Sequence, residues 1–581
     1  MKNHVLLFAA LCAASLWAGD KVYLWPEGQM PDAQPHQIAA MTDVSRKEGF
    51  DADAWRQPYI DWFDPPANPN GTCLILISGG SYKNCCDVRL VHDWARKLTA
   101  LGCQCVNFVY RTPWPNDLPI YQTAWEDAQR AVRKVRAAAA ARGFSPDRIG
   151  VMSMSAGSHL ATLMATSSLT PAYEPVDDLD ATPCNVNWAC VFAPAFVQTD
   201  GYGKPNSRRG EVDAALADCF AFDAQTCPMC LMHGGNDNYS PNASTLIYRE
   251  LRKRKIPAEV HIAPDKGHGA HGFDRAVEFM RQMGFLGKLE PEVALLDRYA
   301  SDDARAVYEK EDIWPNGKMP DAQAHQCTPY LEWNIPSNLT TKAIQVVWSG
   351  GGYNGNGTDS FEVAPFRRYL NEKGMAVVTV KYRTPRPKNL AKHVTAWEDA
   401  QRAIRMVKAE AAARGLDPNR IGIMGSSAGG HLALMCATTS KTNAYWPIDD
   451  IDKVKPNVQW AVCIYPAYAL TDGAEKPNRH GGNDDDAVLV PEFAFDLATP
   501  PILFLHGDAD GWAAMNSVKP WEKLRFMGIQ GELHTLVRRG HCFQRNAAPG
   551  TASYNWMDRI WEFLLAKGFL ADWTAAPDGR P

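Results

Sequence analysis

The stretch Gly150-Val-Met-Ser-Met-Ser-Ala-Gly-Ser-His-Leu-Ala161 decides the fold, and the chain contains it twice. The second copy is Gly422-Ile-Met-Gly-Ser-Ser-Ala-Gly-Gly-His-Leu-Ala433. In each copy an apolar run is followed by a turn of small residues and then by a helix-forming segment. The central serines, Ser155 and Ser427, therefore sit where a strand turns sharply into a helix, an arrangement that exposes a nucleophile.

The two copies belong to a repeat that covers most of the 581 residues. Ser155 and Ser427 are 272 positions apart, and other motifs recur at nearly the same separation. These motifs are Tyr110-Arg-Thr-Pro with Tyr382-Arg-Thr-Pro, His233-Gly with His506-Gly, and Gly267-His with Gly540-His. Solenoid units repeat every 20 to 50 residues or so, and a much longer period indicates a duplicated domain.

The repeat and its flanks divide the chain into five predicted segments. They are a signal peptide at 1–18, a first α/β domain at 19–289, a charged helical linker at 290–311, a second α/β domain at 312–571 and a disordered tail at 572–581.

The apolar patterning predicts the fold class of both domains. Runs such as Leu74-Ile-Leu-Ile and Ala376-Val-Val-Thr-Val lack polar alternation, which is typical of parallel strands covered by helices on both faces. Between such runs the apolar period becomes helical, as from Ala124 to Val135. Alternating strands and helices predict an α/β fold, a mostly parallel sheet flanked by helices, in each half.

Composition excludes several classes of partner. With 60 basic and 65 acidic residues the net charge is −5, and no basic block is present, so we expect no nucleic acid or anionic membrane as partner.

The N-terminal residues resemble a secretory signal, with Lys2, the apolar run 5–17 and Ala18. No later apolar run approaches the ~20 residues that span a bilayer. We therefore expect a secreted or periplasmic protein without membrane attachment.

The cysteines raise the possibility of a metal or redox site. Ten of the fifteen cysteines lie in the first repeat, and Cys227-Pro-Met-Cys230 has the spacing of some metal or redox sites. No second such pair accompanies it, so we favour structural cysteines. We predict no metal site and no cofactor.

A serine, an aspartate and a histidine recur at nearly the same intervals in the two repeats. In each repeat an aspartate after a strand follows the serine by 82 or 83 residues, and a histidine follows the aspartate by 31. The predicted triads are Ser155, Asp237 and His268 in the first domain and Ser427, Asp510 and His541 in the second. A histidine held by an aspartate can deprotonate a serine for attack on a carbonyl.

Other polar residues compete for these roles. His271 is a rival base, but the second repeat has Gln544 at that position, which favours His268. The remaining repeated histidines are interpreted as structural: His159, His233, His431 and His506. Asp127 and Arg130 resemble a surface helix pair with a structural role.

A serine nucleophile also needs donors for the oxyanion that forms. Backbone N–H groups just past the serine and in the glycine-rich turn after an earlier strand are the candidates. They belong to Gly80, Ser81 and Ala156 in the first domain and to Gly351, Gly352 and Ala428 in the second.

These motifs support a family resemblance. Gly-Gly-Gly-Tyr353, Lys-Tyr-Arg383, Tyr-Pro-Ala467 and His-Gly-Asp-Ala-Asp510, with the serine stretch, resemble the secreted acetyl-xylan and feruloyl esterase-like α/β-hydrolases of the BD-FAE type. The resemblance implies hydrolysis of acyl esters, with acetyl the expected group, on a polysaccharide or oligosaccharide. The second repeat is the closer match, because the first departs at Ser81 and Ser153.

Four residues are predicted to contact substrate. Tyr82 and Tyr353 belong to the glycine-rich turns, and Arg208 and Arg479 follow Lys-Pro-Asn in the segments after the sixth strand. The arginines would meet an acidic or hydroxyl-rich glycan, and a salt-bridged loop is an equally open interpretation.

Two alternatives stay open. A serine peptidase could use the same machinery on amides. Alternatively, one repeat is catalytic and the other is a degenerate module that binds glycan.

Overall fold

A computed structural model describes residues 20–34, 36–37, 57–85, 88–199, 215–295, 306–471 and 487–573. The chain divides into two compact units, residues 1–258 with 266–288, and residues 259–265 with 289–581. The predicted signal peptide, Arg208 and Arg479 lie outside the described residues. Among the described helices, none combines the length and apolarity needed to cross a bilayer.

The first unit is built from strands that alternate with helices. Its strands are β1 Lys21–Tyr23, β2 Tyr59–Phe63, β3 Cys73–Ile77, β4 Gln104–Val109, β5 Ile149–Met154, β6 Trp188–Phe192, β7 Gln198–Thr199, β8 Ala215–Leu216 and β9 Met229–Gly234. Its helices are α1 Val88–Ala100, α2 Gln122–Arg142, α3 Ala156–Thr166, α4 Asn242–Lys253 and α5 Phe273–Gln282, with a 3-10 turn at Asp178–Ala181.

The main sheet of this unit has the order β1-β2-β4-β3-β5-β6-β9. β1, β2 and β4 pair antiparallel, and the neighbours from β4 through β3, β5 and β6 to β9 pair in parallel. The prediction of a mostly parallel sheet with flanking helices is confirmed. Because parallel strands end at one edge, residues that follow β3, β5 and β9 lie close together.

The second unit repeats this plan. Its strands are β10 Ala258–Ala263 (all but Ala258), β11 Val293–Ala294, β12 Ala306–Asp312, β13 Tyr330–Pro336, β14 Ile344–Trp348, β15 Ala376–Lys381, β16 Ile421–Ser426, β17 Trp460–Ile464, β18 Leu470–Thr471, β19 Val488–Leu489, β20 Ile502–Gly507, β21 Gly531–Leu536 and β22 Asn546–Ala547. Its helices are α6 Ala364–Glu372, α7 Val394–Glu410, α8 Ala428–Thr438, α9 Met515–Phe526 and α10 Trp556–Ala566, with 3-10 turns at Ala412–Arg414 and Asp450–Lys453.

Its sheet has the order β21-β20-β17-β16-β14-β15-β13-β12, parallel from β21 to β15 and antiparallel beyond. The helical prediction for the linker 290–311 is wrong in the described part. β11 and β12 occupy it, and β12 pairs along its length with β13. β12 ends in a run of four charged residues, Glu309 to Asp312, which a strand at the edge of a sheet tolerates.

The chain also stays ordered past the predicted start of its tail. Asp572 accepts hydrogen bonds from Thr341 Oγ1 at 2.7 Å and from the Lys342 N–H at 2.9 Å, and Trp573 packs edge-on against Trp561. The prediction of disorder for residues 574–581 falls outside the described residues.

A buried polar cluster explains two of the repeated motifs in the first domain. The Arg111 N–H and Nε–H donate to Asp127 over 2.8 and 3.0 Å, and Trp25 Nε1–H donates to the same carboxylate over 2.7 Å. Arg130 pairs with Asp180. Asp127 and Arg130 are therefore buried rather than on the helix surface as expected, and their role is structural.

The second domain has the same cluster. Arg383 donates through its N–H and Nε–H to Asp399, and Trp314 Nε1–H donates to Asp399 Oδ1 over 2.6 Å. Both carboxylate and guanidinium are buried, so each needs the other to offset the loss of hydration. The cluster ties the opening Trp-Pro segment of the domain to β15 and α7.

Candidate active site

Both serines occupy a strained turn between a strand and a helix. Ser155, between β5 and α3, has φ 59° and ψ −123°, and Ser427, between β16 and α8, has φ 56° and ψ −120°. A positive φ on a residue with a side chain is costly, and it persists where the surrounding structure holds it for function. The turn places each Oγ at the carboxyl edge of its sheet.

The turns leave no room for larger residues near the serine. A Cβ on Gly157 would lie 2.4 Å from the Ser78 carbonyl oxygen, and one on Gly429 would lie 2.5 Å from the Ser349 carbonyl oxygen. Real side chains do not approach backbone this closely. Glycine two positions after the serine is therefore required in both domains.

Ser153 stands where the second domain has a glycine, and a second serine, Ser158, compensates for it. Ser153 Oγ lies 3.1 Å from Ser158 Oγ, and Ser158 Oγ–H donates to the Phe192 carbonyl at 2.8 Å. The second domain has Gly425 and Gly430 at these positions. In the first domain the two serine side chains occupy this space and hydrogen-bond to each other. In the second domain the glycines have no side chains there, and the backbone packs closely instead.

In the first domain three predicted residues form one hydrogen-bonded chain. Ser155 Oγ lies 2.8 Å from His268 Nε2, and His268 Nδ1 lies 2.9 Å from Asp237 Oδ2. Ionised aspartate only accepts, so Nδ1 carries the proton and Nε2 is left to accept from the serine hydroxyl. His268, not the rival His271, makes this contact with the serine.

The second domain reproduces the chain. Ser427 Oγ lies 2.8 Å from His541 Nε2, and His541 Nδ1 lies 2.8 Å from Asp510 Oδ2. The two domains bring together all six residues predicted for the triads.

Each aspartate is held ionised by more than the histidine that faces its serine. Burial alone would raise the pKa of Asp510, but hydrogen bonds from His506 and His541 lower it to about 2. The same combination, with His233 and His268, holds the pKa of Asp237 well below its ordinary value.

His233 and His506 are thus part of the site's support, beyond the purely structural role expected. His506 Nε2 lies 2.7 Å from the Trp512 carbonyl and 3.4 Å from Asp510 Oδ2, and its Nδ1 lies 2.8 Å from Ser517 Oγ. His233 lies 3.2 Å from Asp237 Oδ2. A sequence signal existed: both histidines precede the aspartate by four residues.

The predicted oxyanion loops lie directly against the serines. A Cβ on Gly79 would come within 2.8 Å of Ser155 Cβ, and one on Gly350 within 2.7 Å of Ser427 Cβ. The residues that follow have left-handed backbone, including Gly80 at φ 128°. In these loops the residues with positive φ are Gly80, Ser81 and Tyr82 in the first domain and Gly351, Gly352 and Tyr353 in the second. The predicted donors Ala156 and Ala428 open helices α3 and α8.

The two loop tyrosines are buried, which contradicts the prediction that they contact substrate. Tyr82 and Tyr353 are at most 1% exposed. Tyr82 OH lies 2.8 Å from His159 Nδ1, and Tyr353 OH lies 2.8 Å from His431 Nδ1. Each tyrosine therefore anchors its loop to the helix behind the serine, where burial lowers the pKa of His159 to about 3. Sequence alone does not show which way a left-handed loop turns its side chain.

Aromatic rings beside the triads were not predicted. The Tyr239 ring lies 5.0 Å from His268, and Phe196 packs on Tyr239. In the second domain Tyr468 packs edge-on against Trp512, at 4.6 Å. Phe196, Tyr239 and Trp512 are partly exposed, unlike the loop tyrosines, whereas Tyr468 is buried. Their only sequence signal is position, two residues after the aspartate or shortly after the sixth strand.

Another missed residue is Glu362. It is buried, and it accepts a hydrogen bond from the Gly350 N–H over 2.8 Å and one from Tyr465 OH over 3.2 Å. Burial raises its pKa. The first domain has Leu90 at the corresponding place, so the two glycine-rich loops are supported differently.

Cys227 and Cys230 are both buried, Cys230 within β9, which fits the structural interpretation.

Comparison with known proteins identifies the family. A family model named BD-FAE matches residues 60–188 and 331–521, more than half of the chain and parts of both domains. The chain belongs to the BD-FAE family. This agrees with the α/β-hydrolase fold of each domain and with the resemblance in its motifs.

Curated relatives and solved structures are similar over parts of the chain. An acetylxylan esterase of Xylanibacter ruminicola is 29% identical over 222 residues, 35% of this chain and 42% of that protein. Esterase LipQ of Mycobacterium tuberculosis is 31% identical over 252 residues, 40% of this chain and 56% of that protein. The chain thus spans less than two thirds of the length of either relative.

Among solved structures, an acetyl ester-xyloside bifunctional hydrolase from Caldicellulosiruptor lactoaceticus is 24% identical. The match covers 45% of this chain and 97% of that chain, with a TM-score of 0.37.

Proposed function

We propose that this chain is an exported serine esterase that removes acyl groups, acetyl foremost, from a polysaccharide or oligosaccharide, with one active site in each domain. The observation that carries the proposal is the Ser–His–Asp hydrogen-bonded chain at a strained turn in both halves. Membership of the BD-FAE family and similarity to an acetylxylan esterase support ester hydrolysis and a glycan substrate.

The first half-reaction begins when Ser427 Oγ attacks the ester carbonyl carbon. His541 Nε2 takes the hydroxyl proton as the C–O bond forms, and Asp510 stabilises the imidazolium. The carbonyl oxygen gains the negative charge and is stabilised by N–H groups of Ala428 and of the loop that contains Gly351. Removing one such donor typically costs about 3 kcal/mol of the barrier.

Collapse of the tetrahedral intermediate breaks the bond to the sugar oxygen, which takes the proton from Nε2 and leaves as an alcohol. Water then enters, gives a proton to the same nitrogen and attacks the acyl-enzyme. Carboxylic acid leaves and the serine regains its proton. Ser155, His268 and Asp237 follow the same steps in the first domain.

The test uses single serine variants. The wild type, Ser155→Ala, Ser427→Ala and the double variant are assayed on acetylated xylo-oligosaccharide, a feruloyl ester and a peptide anilide. We expect each single variant to keep ester hydrolysis from the other domain and the double variant to lose it. Loss of all activity in one single variant would leave the other domain without a catalytic role. Cleavage of the anilide but of no ester would identify a peptidase.

A further inference from the structure

A cluster of two histidines and one glutamate lies behind the nucleophile helix of the second domain. His431 is on α8, four residues after Ser427, His393 precedes α7, and Glu492 follows β19. One ligand atom from each lies within 4.8 Å of the others. The hydrolysis proposed above uses none of these three side chains.

We propose that His393, His431 and Glu492 bind a divalent transition-metal ion of the zinc type. Glu492 Oε1 lies 3.4 Å from His431 Nε2 and 3.6 Å from His393 Nδ1. Around a tetrahedral zinc ion with bonds of about 2.0–2.1 Å, neighbouring ligand atoms are about 3.4 Å apart. Glu492 therefore already lies at nearly the required distance from both imidazoles, and the two imidazole nitrogens lie within 4.8 Å of each other.

Both imidazole nitrogens that face the glutamate lie within ion-pair distance of it but outside hydrogen-bond geometry. His431 Nε2 and His393 Nδ1 are buried without a partner that meets hydrogen-bond geometry. The His431 side chain is wholly buried, so no solvent compensates the nitrogen. A buried polar atom left unsatisfied costs about 1–3 kcal/mol, and a bound cation removes that cost.

The other nitrogen of His431 has the partner that a metal-bound imidazole uses. His431 Nδ1 lies 2.8 Å from Tyr353 OH, which orients the ring and lets Nδ1 carry the proton while Nε2 presents its lone pair. His393 and Glu492 keep 12% and 18% of their side chains exposed. This exposure gives an ion and a water ligand a path from solvent.

The first domain provides an internal contrast. The positions of His393, His431 and Glu492 are occupied there by Tyr121, His159 and Cys219. His159 Nε2 has the Cys219 thiol at 3.7 Å, and Tyr121 offers a phenol where the second domain has an imidazole, so only one of the three proposed ligands recurs. We therefore expect this cluster of the second domain to bind one metal ion and its counterpart in the first domain to bind none.

The ion would join three separate segments of that domain. It connects the segment after β19 to α8, and through Tyr353 it supports the glycine-rich loop beside Ser427. Its role is to position these segments, because its ligand His431 reaches the nucleophile through the backbone of α8, where the His431 N–H donates to the Ser427 carbonyl over 3.0 Å.

The test measures metal content, so it does not depend on ester hydrolysis. Full-length protein without an affinity tag is stripped with a chelator, equilibrated with Zn²⁺ and analysed by inductively coupled plasma mass spectrometry. We expect one zinc per wild-type chain and at least about 100-fold weaker binding in His393→Tyr and in Glu492→Gln. Cys219→Ser, at the matched position of the first domain, should retain one zinc.

Replacement with Co²⁺ provides a second measurement that identifies the ligand sphere. The wild type should show the visible absorption of tetrahedral cobalt, and both ligand variants should lose it while keeping the wild-type circular dichroism spectrum. No zinc uptake by the wild type would overturn the proposal. Zinc retained with wild-type affinity in both variants, or lost in Cys219→Ser, would overturn it as well.

Discussion

Replacing Asp510 by asparagine should inactivate the second domain by reversing the proton positions on His541. Asp510 Oδ1 accepts the Trp512 N–H over 2.8 Å, and Oδ2 faces His541 Nδ1 at 2.8 Å. In Asp510→Asn the backbone N–H keeps the amide oxygen, so the amide NH₂ turns to Nδ1. Nδ1 must then accept, Nε2 carries the proton, and the Ser427 hydroxyl loses its base.

The expected loss is large because His541 Nε2, which lies 2.8 Å from Ser427 Oγ, can no longer accept its proton. A wrong tautomer in a serine triad lowers kcat by about 10⁴, which is about 5.5 kcal/mol of barrier. The assay is kcat on an aryl acetate in a Ser155→Ala background, so that only the second domain is measured. Circular dichroism checks that the variant is folded.

Asp237→Asn in a Ser427→Ala background is the matched experiment in the first domain. There the Tyr239 N–H holds Asp237 Oδ1 over 2.9 Å, but His268 Nδ1 lies about equally far from Oδ1 and Oδ2, at 3.0 and 2.9 Å. The retained amide oxygen can therefore still accept the Nδ1 proton, and we expect a smaller loss than in the second domain. A loss below about tenfold in the second domain would refute the tautomer argument.

Three further outcomes are expected. Gly429→Ala should destabilise the second domain by about 1–3 kcal/mol in urea unfolding, because its Cβ would lie 2.5 Å from Ser349 oxygen. Arg383→Met should cost about 3–5 kcal/mol in the same assay, since it leaves the buried Asp399 without its cation. Asp510 has a pKa of about 2 when folded against an ordinary 3.8, so its stabilisation is complete above about pH 4 and is lost as pH falls towards 2. Below about pH 4 the free energy of unfolding should therefore fall less steeply with pH in Asp510→Asn than in the wild type.

Each of these outcomes has a control. Gly357→Ala adds a Cβ with only one atom near, at 4.0 Å, and should change stability by less than about 0.5 kcal/mol. Equal effects of the two glycine substitutions would contradict the packing argument. A double variant Arg383→Met with Asp399→Leu should recover part of the loss if the isolated charge is its cause. If the free energy of unfolding had the same pH dependence in Asp510→Asn as in the wild type, the Asp510 carboxylate would be equally protonated in the folded and unfolded protein.

The triads could be predicted because their spacing is a property of the fold that the two repeats preserve independently. Once Ser155 and Ser427 are placed at a strand–helix turn, the aspartate and histidine can only follow later parallel strands. The orientation of Tyr82 could not be predicted, because it depends on left-handed backbone at a residue whose type does not require it. The strand in the predicted linker was missed for a related reason: charged residues along β12 satisfy an edge strand and a helix equally well.

The buried tryptophan–aspartate–arginine cluster determines where the second half can be separated from the first for expression alone. A truncation that begins after Trp314 would remove the indole donor to Asp399 together with β12, the pairing partner of β13. An isolated second half should therefore start before Ala306, even though the family motifs begin later in the chain.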